Sequence, residues 1–350
     1  MTVGRGKHQP WVGVLAFAGG LSAAVAVLLP TYAADSLRKV PLDVQADTLS
    51  LAPDSSIIDV PATMGGKATT ETGVPLGFRV FVTVQDPSDA DVVTLQAARS
   101  MIRLDDPGSE ARPLDATVDR VTLDRRSGLP VSDPPASFQT EADRPGAPEV
   151  RDGYQYKFPF HTERESYPYF DTTVGSSRPI DYVDDSRVES GLRLFHFRQR
   201  IDPTNLRMIR DDEALTLPAS TWGLSGSEQV TFDLWYSVTR DIWVEPVSGS
   251  IVAQEEQVHR YLARTADDDH ALTTLAARTT FDASTIADNA DRAATARSQI
   301  LWGTRYIPIG AAIVAVLAFT AAAMKAWKSK RDRSQRGAIV STTSSSAISG

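Results

Sequence analysis

Apolar positions along the chain follow two patterns: unbroken runs near each end, and alternation between them. No charged residue occurs from Trp11 to Ala34, where most positions are Ala, Val, Leu, Gly or Phe. That run exceeds the roughly 20 residues with which a helix crosses a bilayer. A second uncharged run, Ile307 to Met324, is about 27 Å long as a helix. The pattern predicts membrane-spanning helices over residues 11–34 and 307–324. Small residues recur at four-residue spacing in both: Ala16, Gly20 and Ala24, then Ala318, Ala322 and Ala326. Such ridges let helix backbones approach closely. A cleaved signal peptide is the competing reading of the first run, with Thr31-Tyr32-Ala33 at a plausible cleavage point. The run is longer than the about 7–15 residues of a signal core, which favours an uncleaved anchor.

Between the spans, residues 35–300 read as one β-rich domain. Phe78, Val80, Val82 and Val84 alternate up to the turn Asp86-Pro87-Ser88-Asp89, the period of a strand with one buried face. Similar segments lie near 92–104, 116–123, 154–160, 180–188, 192–201 and 229–238. A hairpin joins 242–246 to 250–262 through Val247-Ser248-Gly249, and 272–281 reads as a last strand. The Pro-rich stretch from Arg126 to Gly153 predicts a long surface loop. A helix is expected from about 284 to 300, as a stalk leading to the second span. The fold class is thus mainly β (α+β), with an antiparallel barrel-like core flanked by two transmembrane helices.

Charge assigns sides to this plan. Arg5, Lys7 and His8 precede the first span; Lys325, Lys328, Lys330, Arg331, Arg333 and Arg336 follow the second, against one acid, Asp332. Positive flanks mark the cytoplasmic side. Residues 1–10 and the tail 325–350, basic and then Ser/Thr-rich and irregular from Ser341, are therefore expected in the cytoplasm, with the large domain outside the plasma membrane. Nine basic residues and one acid lie outside 35–300, which leaves 27 basic and 43 acidic residues in the domain, a balance of −16. Such a surface disfavours nucleic acid as a partner. Cysteine is absent, so disulfides, thiolate metal sites and a cysteine nucleophile are excluded. Scarce lysine and asparagine, seven and two residues, fit a high-G+C genome.

Catalytic signatures are missing. Gly223-Leu224-Ser225-Gly226 lacks the spacing of a nucleophile elbow, and Gly65-Gly66-Lys67 lacks the rest of a phosphate loop. Asp267-Asp268-Asp269-His270 could attract a divalent cation, but without metal-loop spacing it reads as a solvated acidic loop. No cofactor is expected. Paired carboxylates for glycoside chemistry could be drawn from Glu163, Glu165 and Asp171 among many acids. The densest constellation is aromatic: Tyr154, Tyr156, Phe158, Phe160, Tyr167, Tyr169 and Phe170. A strand over 154–160 would place the first four on one face, either packed into the core or forming the wall of an apolar groove or tunnel.

The strings Gly153-Tyr154…Phe158-Pro159-Phe160, Ser166-Tyr167-Pro168-Tyr169-Phe170-Asp171 and Trp243-Val244-Glu245-Pro246 with Ser248-Gly249 resemble an actinobacterial family of two-span envelope proteins, the porin PorA-like family, whose function is not established. So do Val40-Pro41-Leu42-Asp43 and Asp124-Arg125-Arg126-Ser127-Gly128; the resemblance runs from about Trp11 to Lys330. A proposed similarity of this family to the scavenger-receptor class B ectodomain implies an antiparallel barrel crossed by an apolar tunnel, built there with disulfides that this chain cannot make. The family brings no catalytic residues. The expected role is non-enzymatic: binding or passing lipid or lipoglycan intermediates, as in lipomannan-type assembly. The alternatives are a carbohydrate-active enzyme using paired carboxylates, and an oligomeric scaffold or porin-like channel with envelope-assembly proteins or further copies as partners.

Overall fold

The computed structural model describes residues 10–141 and 143–345. They form two compact units, one from the two ends of the chain (to Leu37 and from Ser298) and one from Arg38–Arg297. In the first unit, helix α1 (Pro10–Leu37) packs along the last helix (Ile307–Ser345). Both are long and apolar enough to cross a membrane. Ala318 and Ala322 are buried as their spacing predicts, but Ala16, Gly20 and Ala24 are exposed. The contact ridge of α1 instead carries Gly19, where a Cβ would meet the Phe319 ring at 3.0 Å. One residue is about 100° around a helix, which turns the expected ridge away. The irregular tail expected from Ser341 is helical through Ser345; residues 1–9 and 346–350 lie outside the described residues.

The second unit is dominated by one antiparallel sheet. Its strands are β1 (Gln45–Ile58), β2 (Thr70–Gln85), β3 (Val92–Arg103), β4 (Asp115–Asp124), β5 (Ala136–Gln139), β6 (Ala147–Glu149), β7 (Tyr167–Asp171), β8 (Ser176–Asp184), β11 (Phe195–Asn205), β12 (Ala214–Pro218), β13 (Gln229–Glu245), β14 (Ser250–Ala263) and β15 (Leu272–Phe281). A small ribbon pairs β9 (Val188–Glu189) with β10 (Leu192–Arg193). The order β6-β5-β4-β3-β2-β1-β15-β14-β13-β11-β8-β7 leaves β6 and β7 at opposite ends, with β12 on β13. After β6 the chain runs to Tyr154, whose N–H donates to Pro168 and whose carbonyl accepts from Phe170. One segment therefore touches both ends of the sheet and closes it as a barrel.

Three corrections follow. The expected surface loop 126–153 contributes β5, β6 and the buried Arg151 to the closure. The expected strand 154–160 is irregular beyond its single bridge at Tyr154. Short helix α2 (Val60–Met64), capped by Asp59, precedes β2, and helix α3 (Ala283–Leu301) starts at an Asp282 side chain that accepts from Thr285. Over its first turns α3 is no bare stalk: Ala290 and Ala293 pack on Leu192, Leu194 and Val252.

Candidate functional site

The seven aromatic residues divide among separate environments because the segment 154–160 is not a strand. Phe158, with no exposed surface, stacks on Phe197 at 4.8 Å and Tyr169 at 5.7 Å, and Tyr154 stacks on it at 6.3 Å. Tyr167 meets Phe158 edge-on. Two of the phenols find protein partners: Tyr167 accepts from the Glu163 N–H, and Tyr169 donates to the Gln155 carbonyl at 2.7 Å. Burial pushes the Tyr169 phenol up to about 12. Phe170 lies under the Arg151 guanidinium at 4.3 Å, and Phe160 under the Lys157 ammonium at 3.5 Å. Tyr156 turns to another cluster and donates to Asp119. Rings covered by rings and cations are core; the single-face aromatic wall is not formed.

Two glycines place this segment. Gly153, at φ 69°, lies so close to Pro168 that a Cβ would be 2.6 Å from its carbonyl oxygen. Gly249, at φ 72°, has its carbonyl accept the Phe158 N–H, and a Cβ there would press into the Phe158 carbonyl. Left-handed backbone and close approach both demand glycine.

Inside the barrel, charged groups interrupt the apolar clusters. Arg151 contacts Asp119 at 2.5 Å and Glu149 at 2.7 Å. Arg240 contacts Asp171 at 3.0 Å, also reaches Glu256, and donates to Gln199 at 2.5 Å. Burial raises the Asp171 carboxyl, but Arg240, the Val174 N–H and the Tyr236 hydroxyl outweigh it and hold the pKa below the ordinary value. Arg240 and Glu256 still keep 12% and 22% of their side-chain surface, so water-accessible space remains among them. The alternation rule carried this signal unread. Arg99 is in phase with inward Val93, Leu95 and Ala97, and Arg240 with Tyr236, Val238 and Ile242.

The outer face carries a groove of about 690 Å³ over β2–β5. Its floor is a cross-strand ladder: Phe81 opposite Ala98, Ala98 opposite Val118, Val118 opposite Gln139. Arg79, Ser100 and Ala116 form the neighbouring ladder. Gln139 donates to the carbonyls of Glu141 and Arg144, which shapes the loop into a rim with Glu141 at the groove. Another outward ladder is polar and reads Asp181, Arg198, Asp241, Glu255 and Thr280.

The other candidates separate. Asp171 is ion-paired inside the barrel, whereas Glu163 and Glu165 are exposed on the surface. Asp268 is buried, not solvated: it binds Arg264 at 2.7 Å and accepts the His270 N–H, closing a turn. Among the described residues no group of three or more His, Asp or Glu is arranged to hold a metal ion.

The Porin PorA family model matches residues 12–324. The chain belongs to the porin PorA family. It is 29% identical over 303 residues to a porin PorA of Corynebacterium amycolatum, covering 72% of this chain and 77% of the relative. It is 28% identical over 323 residues to a porin PorA of Corynebacterium resistens, covering 73% and 78%. The porin PorA match runs from Val12 in α1 through the whole barrel unit to Met324 in the last helix, so it takes in the β domain and the apolar stretches on either side of it.

Proposed function

We propose that this porin PorA family member is a two-pass protein of the plasma membrane, with both ends cytoplasmic, that holds an acyl-bearing lipid or lipoglycan intermediate in the groove over β2–β5. The carrying observation is the groove itself: Phe81, Ala98, Ala116 and Val118 make an apolar floor on the outer sheet face. Its volume, about 690 Å³, falls in the range of small-molecule sites. The barrel unit begins at Arg38, one residue past α1, so a membrane-anchored α1 would tether it beside a bilayer. Arg79 and Glu141 at the rim suit a polar head while the floor takes methylenes. No step of this reading needs catalysis.

Ala98 is exposed, so Ala98→Trp fills the groove without touching the core. The full chain in mild detergent is expected to bind a fluorescent acyl probe at micromolar concentration, and the variant to lose it. Undiminished probe binding by the variant would remove the groove from the account.

The family name favours a second reading, a channel. A membrane barrel needs an apolar outer band, whereas an outward ladder here carries Arg198, Asp241 and Glu255 across three neighbouring strands. Conductance would therefore require several copies assembling through their helices. Planar-bilayer currents from the purified chain would promote this reading over the first.

A further inference from the structure

We propose that the interior of the barrel binds an oxyanion of the phosphate or carboxylate class between Arg99 and Arg260, beside the adjacent hydroxyls of Thr172 and Thr173. Four arginines of this interior and its margins have carboxylate partners: Arg103, Arg151, Arg210 and Arg240. Arg99 and Arg260 have none within ion-pair distance among the described residues. Arg99 instead reaches Thr172 Oγ1 at 3.2 Å and the Tyr156 hydroxyl at 3.4 Å; Arg260 reaches Thr173 Oγ1 at 3.4 Å. These are long contacts to neutral acceptors, and the Nε of each guanidinium has no hydrogen-bond partner at all. Enclosed arginine N–H groups without acceptors are costly, and a bound anion is one way to satisfy them.

The nearby carboxylates are already engaged. Asp119 accepts from Arg151, Gln155 and Tyr156, and Asp171 from Arg240, Tyr236 and two backbone N–H groups. Arg99 and Arg260 are half-buried residues, and Arg240 and Glu256 keep 12% and 22% of their side-chain surface, so the interior is not sealed from water. An oxyanion offers several acceptor lone pairs in the planar geometry that guanidinium matches. Arg99 also borders the groove, whereas Arg260, Thr172 and Thr173 do not line it, so Arg260→Gln tests the anion site without altering the groove.

The test uses the full chain in a neutral detergent, titrated with inorganic phosphate at constant ionic strength and read by phosphorus-31 line broadening. Wild-type protein is expected to broaden the signal saturably. Arg99→Gln and Arg260→Gln should each weaken binding about tenfold or more, the loss expected for a charge-assisted hydrogen bond. Absence of saturable broadening with wild-type protein overturns the proposal without any variant having to fold, as does unchanged affinity in a folded double variant. A water-soluble short-chain phosphatidic acid, run in parallel, distinguishes the sources. Tighter binding than inorganic phosphate that Arg260→Gln abolishes points to a lipid headgroup at this site, and equal binding points to free phosphate; tighter binding that Arg260→Gln leaves unchanged assigns the lipid to the groove and counts against a headgroup here.

Discussion

Arg151 and Asp119 face each other at 2.5 Å with 2% and 0% of their side chains exposed. Asp119 lies on β4, and Arg151 lies on the segment that runs from β6 to the edge of β7. The pair therefore fastens the closure of the barrel. Removing one partner leaves a buried charge, at a cost of about 3–5 kcal/mol. Arg151→Met is expected to lower the thermal midpoint of the detergent-solubilised chain sharply, while Arg151→Met with Asp119→Leu recovers part of the loss. Equal midpoints for the single variant and wild type would mean that this pair does not hold the barrel shut.

The hairpin tip docks on the aromatic segment through Gly249. Gly249→Ala combines a left-handed φ with collision against the Phe158 carbonyl, so it is expected to cost more than the about 1 kcal/mol of conformation alone. Gly128, at φ 76° with open space around it, is the control: Gly128→Ala bears only the conformational cost. Thermal unfolding of the two variants should rank them in that order, and the reverse order would contradict the docking.

Lys157 supplies a pH dependence. Burial pushes its amine down from 10.5 to about 7, partly opposed by Glu245, while its Nζ donates to the carbonyls of Phe158 and Ser248. Between pH 7 and about 10.5 the unfolded chain binds this proton and the folded chain does not, so stability rises with pH across that window. Lys157→Met should flatten the rise. Midpoints measured at pH 7 and pH 9.5 that climb equally in both proteins would assign the slope to other groups.

The helix pair rests on Gly19. Gly19→Leu should separate α1 from the last helix by driving a side chain into Phe319, and Gly20→Leu, with open space around it, should be neutral. Heat-induced aggregation in mild detergent should distinguish the two variants. Identical behaviour would place the contact elsewhere.

What was readable in the sequence followed from strong periodicity. The strands at 92–104, 116–123 and 272–281 match β3, β4 and β15 to within a few residues, because one buried face imposes alternation on each. Gln229–Val238 and Ile242–Pro246 look like two strands but are one, β13, since Arg240 breaks the apolar phase only by pointing inward to Asp171. The segment 126–153 reads as loop because its prolines remove donors, yet short β5 and β6 use the remaining N–H groups and Arg151 is sealed by charge pairing. The aromatic run 154–160 misleads for the opposite reason. Alternation suggests a strand, while Gly153 and the carbonyls taken up by Lys157 bend the chain so that Tyr156 and Phe158 enter different clusters. The groove could not be read locally, because its floor comes from residues 81, 98 and 118, which only the register brings together.

The groove is proposed to hold one specific lipid. Native mass spectrometry with lipid extraction, on the full chain purified from its own membranes in mild detergent, tests it most directly when wild type and Ala98→Trp are compared. One discrete lipid or lipoglycan is expected at stoichiometric amount in wild type, retained through washing and absent from the variant. Only loosely held bulk phospholipid in both proteins would contradict it.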